Sequence, residues 1–339
     1  MIGILCSAEG PATSIPTIKT AMSQHILVTG GAGFIGTHVT RRLLGRGDRV
    51  TVLDEFNDFY DPALKRQNIA SHDEHLQKNS LVVVEGDIRD QDLVERTIRE
   101  GSFDAIIHLA ARAGVRPSLA EPILYEQVNC IGTLHLLEAA RRHGPENFVF
   151  GSSSSVYGIN KKVPFSETDE VNQPISPYAT TKRTGELLCY NYSHLYGLKT
   201  SCLRFFTVFG PAQRPEMAIH KFTDLIATGK PVTLFGDGSS RRDYTYIDDI
   251  VDGIMAALGL APDFEIFNLG GAETTGLSDL VDWIGAELAV EPQINYLPDQ
   301  PGDVPITYAD ITKAGELLNY SPKVPIRDGL RRFIEWYKR

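Results

Sequence analysis

Beginning at His25, short apolar runs alternate with stretches whose apolar residues recur every three or four positions. Ile26-Leu27-Val28 ends in glycines, and Ile35, Val39 and Leu43 then share one helical face, which Gly45 and Gly47 are expected to close. Val50-Thr51-Val52-Leu53 predicts a second strand ending at Asp54. The rhythm continues through a strand at 81–84, a helix at 92–99, a strand at 105–109, a helix through 134–140 and a strand at 148–150. Apolar strands separated by amphipathic helices predict an α/β fold, a doubly wound, Rossmann-like parallel sheet covered on both faces. After Ser201-Cys202-Leu203 the rhythm loosens and Pro and Gly become denser, which predicts a smaller mixed α/β substrate-binding domain. The expected organisation is a loosely ordered tail at 1–22, a sheet domain at 23–203, and a mainly substrate-binding domain at 204–339 with segments returning to the sheet.

Composition narrows the function classes. With 33 Lys+Arg against 43 Asp+Glu the net charge is −10, which argues against a nucleic-acid or anionic-membrane partner. No apolar run approaches the roughly 18 residues of a membrane span. Cys6, Cys130, Cys189 and Cys202 show no metal-site spacing and are expected to be reduced thiols of a cytoplasmic protein. His72 and His75 fall in a polar stretch without further ligands, so no metal is expected.

The first loop carries the clearest chemistry. Gly30-Gly31-Ala32-Gly33-Phe34-Ile35-Gly36 lies between a strand and a helix, where glycines permit a tight turn and close approach to a pyrophosphate at the helix N-terminus. Asp54 ends the second strand, where a carboxylate accepts both ribose hydroxyls and repels a 2′-phosphate, so NAD is expected over NADP. Asp87, in Glu85-Gly86-Asp87-Ile88, is placed to meet the adenine, and Leu109-Ala110-Ala111 to flank the cofactor's pyrophosphate and ribose.

Further along, Ser176-Pro177 makes a good helix start, with Ser at the cap and Pro at the first position. Tyr178 and Lys182 then stand at i and i+4 on one helical face, where the ammonium is expected to lower the phenol's pKa. A phenolate so formed takes the proton of an alcohol as hydride leaves its carbon. Taken alone, the same pair is also what a surface tyrosine over a solvated lysine looks like. Gly151-Ser152-Ser153-Ser154-Ser155 closes the preceding strand and puts hydroxyls at the same sheet edge.

With these three features the chain resembles the extended short-chain dehydrogenase/reductases, NAD-dependent enzymes that act on nucleotide sugars. The resemblance runs from about His25 to the C-terminus through Arg204-Phe205-Phe206-Thr207-Val208-Phe209-Gly210-Pro211, Gly236-Asp237-Gly238, Arg242–Asp249 and Pro301-Gly302-Asp303-Val304. Within that family it is most similar to the UDP-glucuronate 4-epimerases, in Asn57-Asp58-Phe59-Tyr60-Asp61-Pro62, Ala113-Gly114-Val115-Arg116 and Arg214-Pro215-Glu216-Met217-Ala218. The resemblance implies a triad of Ser153, Tyr178 and Lys182. It implies Gly30, Gly33, Phe34, Ile35, Gly36, Asp54, Asn57, Asp87, Ile88 and Leu109–Ala111 on the cofactor side, with Asn129 and Phe206 beside the nicotinamide. Arg242 is implied at the UDP phosphates and Asp303 as a closing carboxylate of the nucleotide site. It also implies a homodimer, with helices around residues 92–100 and 125–141 expected to pair across a two-fold axis.

Departures from neighbouring branches sharpen the expectation. Dehydratases carry an acidic pair after the triad hydroxyl and decarboxylases a glutamate nearby, whereas this chain has Ser154 and Ser155. UDP-galactose epimerases have Asn where Thr207 stands. Thr207 and Ser153–Ser155 are expected to cradle a C6 carboxylate, with Arg214 and Arg116 as further anion contacts. Arg214 as a loop or dimer arginine, and Arg116 as a helix cap, remain the alternatives. The expected reaction is the 4-epimerisation of a UDP-sugar, UDP-glucuronate to UDP-galacturonate, through a transient 4-ketone. A UDP-galactose-type epimerase, a UDP-glucuronate decarboxylase and a catalytically silent NAD-binding sensor are the alternatives.

Overall fold

The computed structural model describes residues 23–298 and 304–339. The chain runs β1 (His25–Thr29), α1 (Phe34–Arg46), β2 (Arg49–Asp54), α2 (Pro62–Ala70), α3 (Asp73–Gln77) and β3 (Leu81–Glu85). Next come α4 (Gln91–Gly101), β4 (Ala105–His108), α5 (Val115–Ala120), α6 (Pro122–Glu126), a π-helix (Gln127–Gly132) and α7 (Thr133–His143). β5 (Asn147–Ser153) leads through a 3₁₀ turn (Ser154–Tyr157) to α8 (Pro177–Tyr196), β6 (Lys199–Phe205) and β7 (Thr207–Phe209). Beyond lie α9 (Ala218–Ala227), β8 (Val232–Phe235), β9 (Arg241–Arg242), β10 (Tyr244–Tyr246) and α10 (Ile247–Leu260). The chain finishes with β11 (Phe264–Leu269), β12 (Thr275–Gly276), α11 (Leu277–Leu288), β13 (Ile294–Leu297), α12 (Thr312–Leu318) and α13 (Ile326–Tyr337).

Seven strands form one parallel sheet in the order β11-β6-β5-β4-β1-β2-β3. The strand order reverses beside β1, which opens a crevice at the carboxyl ends of β1 and β4, where such sheets bind ligands. Alternation along β1 sends Ile26 and Val28 into one core layer and Leu27 into the other. Both faces are therefore buried, one under α1, α10 and α12 and the other under α4, α7 and α8. Beyond β6, three short two-stranded sheets (β10–β7, β12–β9 and β13–β8) build the smaller part, while β11 returns to the main sheet.

Several local expectations change. Gly45 stays inside α1, and only Gly47, at φ 93°, ends it, its N–H reaching back to Leu43 and Leu44 carbonyls. β5 extends to Ser153 because β6 continues the pairing through Gly151, Ser152 and Ser153 after β4 has ended opposite Phe150. His72 is buried, with Nε2 3.1 Å from Thr37 Oγ1, and His75 lies in α3, so neither belongs to a polar loop. Residues 1–22 and Asp303 lie outside the described residues.

Candidate active site

The residues expected to hold a dinucleotide converge on a cleft of about 380 Å³ at the carboxyl edge of the sheet. At its floor the glycine loop is packed so closely that only hydrogen fits. A Cβ on Gly30, which sits at φ 71°, would lie 2.7 Å from Ala110 N, and one on Gly36 would lie 2.1 Å from Gly30 O. Gly33 caps α1 without any side-chain bond, and no acidic residue stands in the first turn, so the positive helix end faces the cleft uncompensated. Phe34, Ile35, Leu109, Ala110 and Ala111 line the same space.

Asp54 accepts Ala32 N–H at 3.1 Å and Phe56 N–H at 3.0 Å, which fixes its carboxylate at the end of β2. Burial pushes its carboxyl above the ordinary value, and those two N–H groups and the Lys65 charge pull the other way. Lys65 Nζ in turn donates to Asn57 O and Oδ1, both at 2.8 Å. Asn57, Asp87 and Ile88 line the same cleft. The loop, the exposed helix end and the anchored carboxylate fit a dinucleotide pyrophosphate and ribose.

In the middle of the cleft stand Ser153, Tyr178, Lys182 and Phe206. Ser176 Oγ accepts Ala179 N–H at 3.1 Å with Pro177 in the first turn, the cap that the sequence predicts for α8. The expected lowering of the Tyr178 phenol is not what the structure gives. Burial pushes it up, a hydrogen bond with Ser153 and the charge of Arg214 pull it down, and Lys182 Nζ instead donates to Gly151 O at 2.6 Å. Burial also brings the Lys182 ammonium down to about 8. Spacing put the two residues on one helical face, but the carbonyl at the end of β5 captures the ammonium.

Ser154, Ser155, Thr207 and Arg214 line the same cleft. Ser155 N–H and Oγ lie 3.2 and 3.1 Å from Ser153 Oγ. Arg214 Nε is 3.2 Å from Glu216 Oε1, and its guanidinium carbon lies 5.7 Å from the centre of the Phe59 ring.

Three expected residues sit elsewhere. Asn129 is buried in the π-helix, where its amide accepts Arg112 N–H (2.8 Å) and donates to Arg112 O (2.9 Å) and Thr181 Oγ1 (2.9 Å). It shapes the loop after β4 and does not line the cleft. Arg116 lies over the Phe235 ring at 4.6 Å, joining α5 to the end of β8. Arg242 is in β9, with Nη1 donating to Arg241 O at 2.9 Å. Conversely, Glu55, Phe59, Tyr60, Lys65 and Arg112 line the cleft without any signal that local spacing could have supplied. Arg112 Nε is buried with no hydrogen-bond partner among the described residues, and the Arg112 guanidinium carbon lies 5.7 Å from the Phe59 ring centre. An orphaned buried donor of this kind fits an anion in the cleft.

The fold and cleft define a nucleotide-binding α/β enzyme architecture, and the chain belongs to the NAD dependent epimerase/dehydratase family, which it matches over residues 26–270. Among its relatives is UDP-glucuronate 4-epimerase 4 of Arabidopsis thaliana, 44% identical over 94% of this chain and 77% of the relative. A solved UDP-glucuronic acid 4-epimerase from Bacillus cereus, in complex with UDP-glucuronic acid and NAD, is similar with a TM-score of 0.86 and 37% identity over 93% of this chain and 99% of that one. A UDP-glucose 4-epimerase from Thermotoga maritima with UDP-glucose is similar with a TM-score of 0.85 and 35% identity over 93% and 98%.

Proposed function

We propose that this protein is an NAD-dependent UDP-glucuronate 4-epimerase that interconverts UDP-glucuronate and UDP-galacturonate through a transient 4-ketone. The observation that carries this reading is a single cleft joining the glycine loop and Asp54 to Tyr178, and Tyr178 to Arg214, Thr207 and the serines. NAD, held by the glycine loop and Asp54, would supply a reversible hydride acceptor for C4, so the reaction carries no net redox change. Tyr178 accepts the O4 proton and later returns it, while Ser153 holds O4. A buried phenol does this work only with positive charge nearby, and Lys182 and Arg214 are the protein's contribution.

The 4-ketone is β to the C6 carboxylate and prone to lose CO2. Ser154, Ser155, Thr207 and Arg214 hold the carboxylate in the ring plane, away from overlap with the ketone, and none of them supplies an acid–base pair for elimination. In this reading Arg116 and Arg242, which lie outside the cleft lining, serve the UDP half. The cofactor-binding part is the segment 23–203, and 204–339 mainly holds substrate.

A homodimer and a cytoplasmic location belong to the same proposal. Exposed apolar side chains gather around α5, α6 and α8, with Ile123 72% exposed and Leu119, Leu187 and Leu195 each more than half exposed. The apolar face of α4 is instead covered by its own chain, with Val94 and Ile98 buried in one core layer with Leu136 and Leu137 of α7. A second copy that pairs α6 and α8 would bury the exposed set. Cys130, Cys189 and Cys202 are free and buried, in keeping with a reducing compartment. Incubation with UDP-glucuronate, followed by proton NMR, tests the reaction. UDP-galacturonate is expected, whereas a UDP-pentose, or no product, would refute it.

A further inference from the structure

Behind the cleft lies a buried ionic cluster that no step above uses. Glu186 stands one turn beyond Lys182 on α8, and its side chain is wholly buried. Its carboxylate accepts Arg204 Nε and Nη2 at 2.8 and 2.9 Å, Ser152 Oγ at 2.6 Å and Arg183 Nη1 at 3.0 Å. Arg204, on β6, passes its remaining contact to Tyr157 OH at 3.0 Å, and that hydroxyl donates to Asn268 Oδ1 at 2.7 Å. Asn268 Nδ2 donates in turn to Phe165 O at 2.8 Å and Asp310 O at 3.1 Å.

Stability is a poor explanation for this cluster. Replacing a buried ion pair by apolar residues of similar volume is often neutral or favourable. What the cluster does is tie together the elements that carry the reactive groups. Ser152 precedes Ser153, Tyr157 ends the turn that carries Ser154 and Ser155, and Glu186 shares α8 with Tyr178 and Lys182. The same carboxylate is the one full negative charge acting on Lys182 among the groups that shift it, and it opposes the burial that weakens the ammonium. Lys182 otherwise faces Gly151 O and the Phe150 ring from β5, Cys130 from the π-helix, Cys189 and Tyr178 from α8, and His108 from β4, held neutral by burial.

We propose that Glu186 is a positioning residue for the epimerase site: through Ser152 it fixes the serine run against α8, and across one helical turn it balances the charge of Lys182. The proposal rests on the roles assigned above to Ser153, Tyr178 and Lys182. Glu186 touches neither substrate nor cofactor in it.

The test compares Glu186→Gln/Arg204→Met, which leaves no buried charge unpaired, with Glu186→Asp, which keeps the carboxylate, and Ser152→Ala, which cuts only the link to the serine run. For each folded protein, kcat and KM for UDP-glucuronate and the affinity for NAD are measured from pH 6 to 10, the latter by calorimetric titration without substrate. Arg204 is not among the groups that shift Lys182, so the double variant removes for Lys182 only the opposite charge of Glu186, and the alkaline limbs of kcat and of NAD affinity should move down by about one pH unit. Its kcat at pH 8 should fall about tenfold with KM within twofold. Glu186→Asp should restore most of the wild-type profile, and Ser152→Ala should lower kcat severalfold without moving the limb. A double variant with the wild-type profile, or one in which KM rises while kcat holds, would overturn the proposal. If the double variant does not fold, an unchanged kcat in Ser152→Ala overturns it and the stated loss supports it. If wild-type protein fails to turn over UDP-glucuronate, the proposed reaction falls, and the NAD titration still decides the role of Glu186.

Discussion

Arg214→Met probes the part of the site that separates a uronate from a neutral sugar. In the structure Arg214 is partly exposed and, among the described residues, forms one ion pair, to Glu216, itself 42% exposed. An exposed pair of this kind contributes about 0–1 kcal/mol, so the variant should fold normally. The substrate carboxylate should lose a charge-assisted hydrogen bond of about 1.5–3 kcal/mol, a fall of roughly 10- to 150-fold in kcat/KM for UDP-glucuronate. Binding of UDP-galactose, which has no carboxylate, should change less than twofold by calorimetry, and binding of UDP-galacturonate should weaken in step with kcat/KM. Arg214 is also a charge that pulls the Tyr178 phenol down, so the pH at which the reaction gains its base should rise. The fraction of UDP-pentose among the products should rise as the carboxylate is freed to rotate. Equal losses for the acid and neutral sugars, or none for either, would refute the assignment of Arg214 to the carboxylate.

Other perturbations test other layers. Gly36→Ala places a methyl group 2.1 Å from Gly30 O, so the loop must open, and NAD affinity by fluorescence titration should fall at least tenfold; unchanged affinity would contradict the close-packed loop. His108 is fully buried between Thr29 and Thr133, and burial together with the Lys182 charge holds it down at about 3. The unfolded chain takes up a proton below pH 6.5 that the folded one refuses, so His108 costs stability as pH falls, about 2 kcal/mol at pH 5 relative to pH 7.5. Urea unfolding of wild type and His108→Gln at the two pH values should differ by that amount, and equal losses would contradict the argument. By light scattering the wild-type chain should run as the proposed dimer and Ile123→Asp as a monomer with little loss of thermal stability; a dimer that persists in the variant, or a monomeric wild type, would contradict the proposed interface.

Local pattern made the sheet, the glycine loop and the start of α8 legible, because each is determined by neighbours in sequence: apolar alternation, backbone room at Gly30 and Gly36, and the Ser176-Pro177 cap. What stayed hidden depends on partners distant in the chain. Nothing near Asn129 announces that the backbone of Arg112 will occupy its amide, and nothing near Lys182 announces the Gly151 carbonyl. Burial of the Tyr178 phenol is likewise a property of the closed cleft, which is why the i and i+4 spacing gave the right face and the wrong direction of shift. Lys65 and Arg112 reach the cleft from a short helix and an irregular loop, where periodicity carries no signal.

The central claim is that C4 is oxidised and re-reduced within one closed site. UDP-glucuronate carrying deuterium at C4, incubated in ordinary water and followed by proton NMR, tests it most directly. UDP-galacturonate that retains the deuterium at C4 is the predicted product. Product that has exchanged the label for solvent hydrogen, a UDP-pentose as the main product, or unchanged substrate would contradict the account.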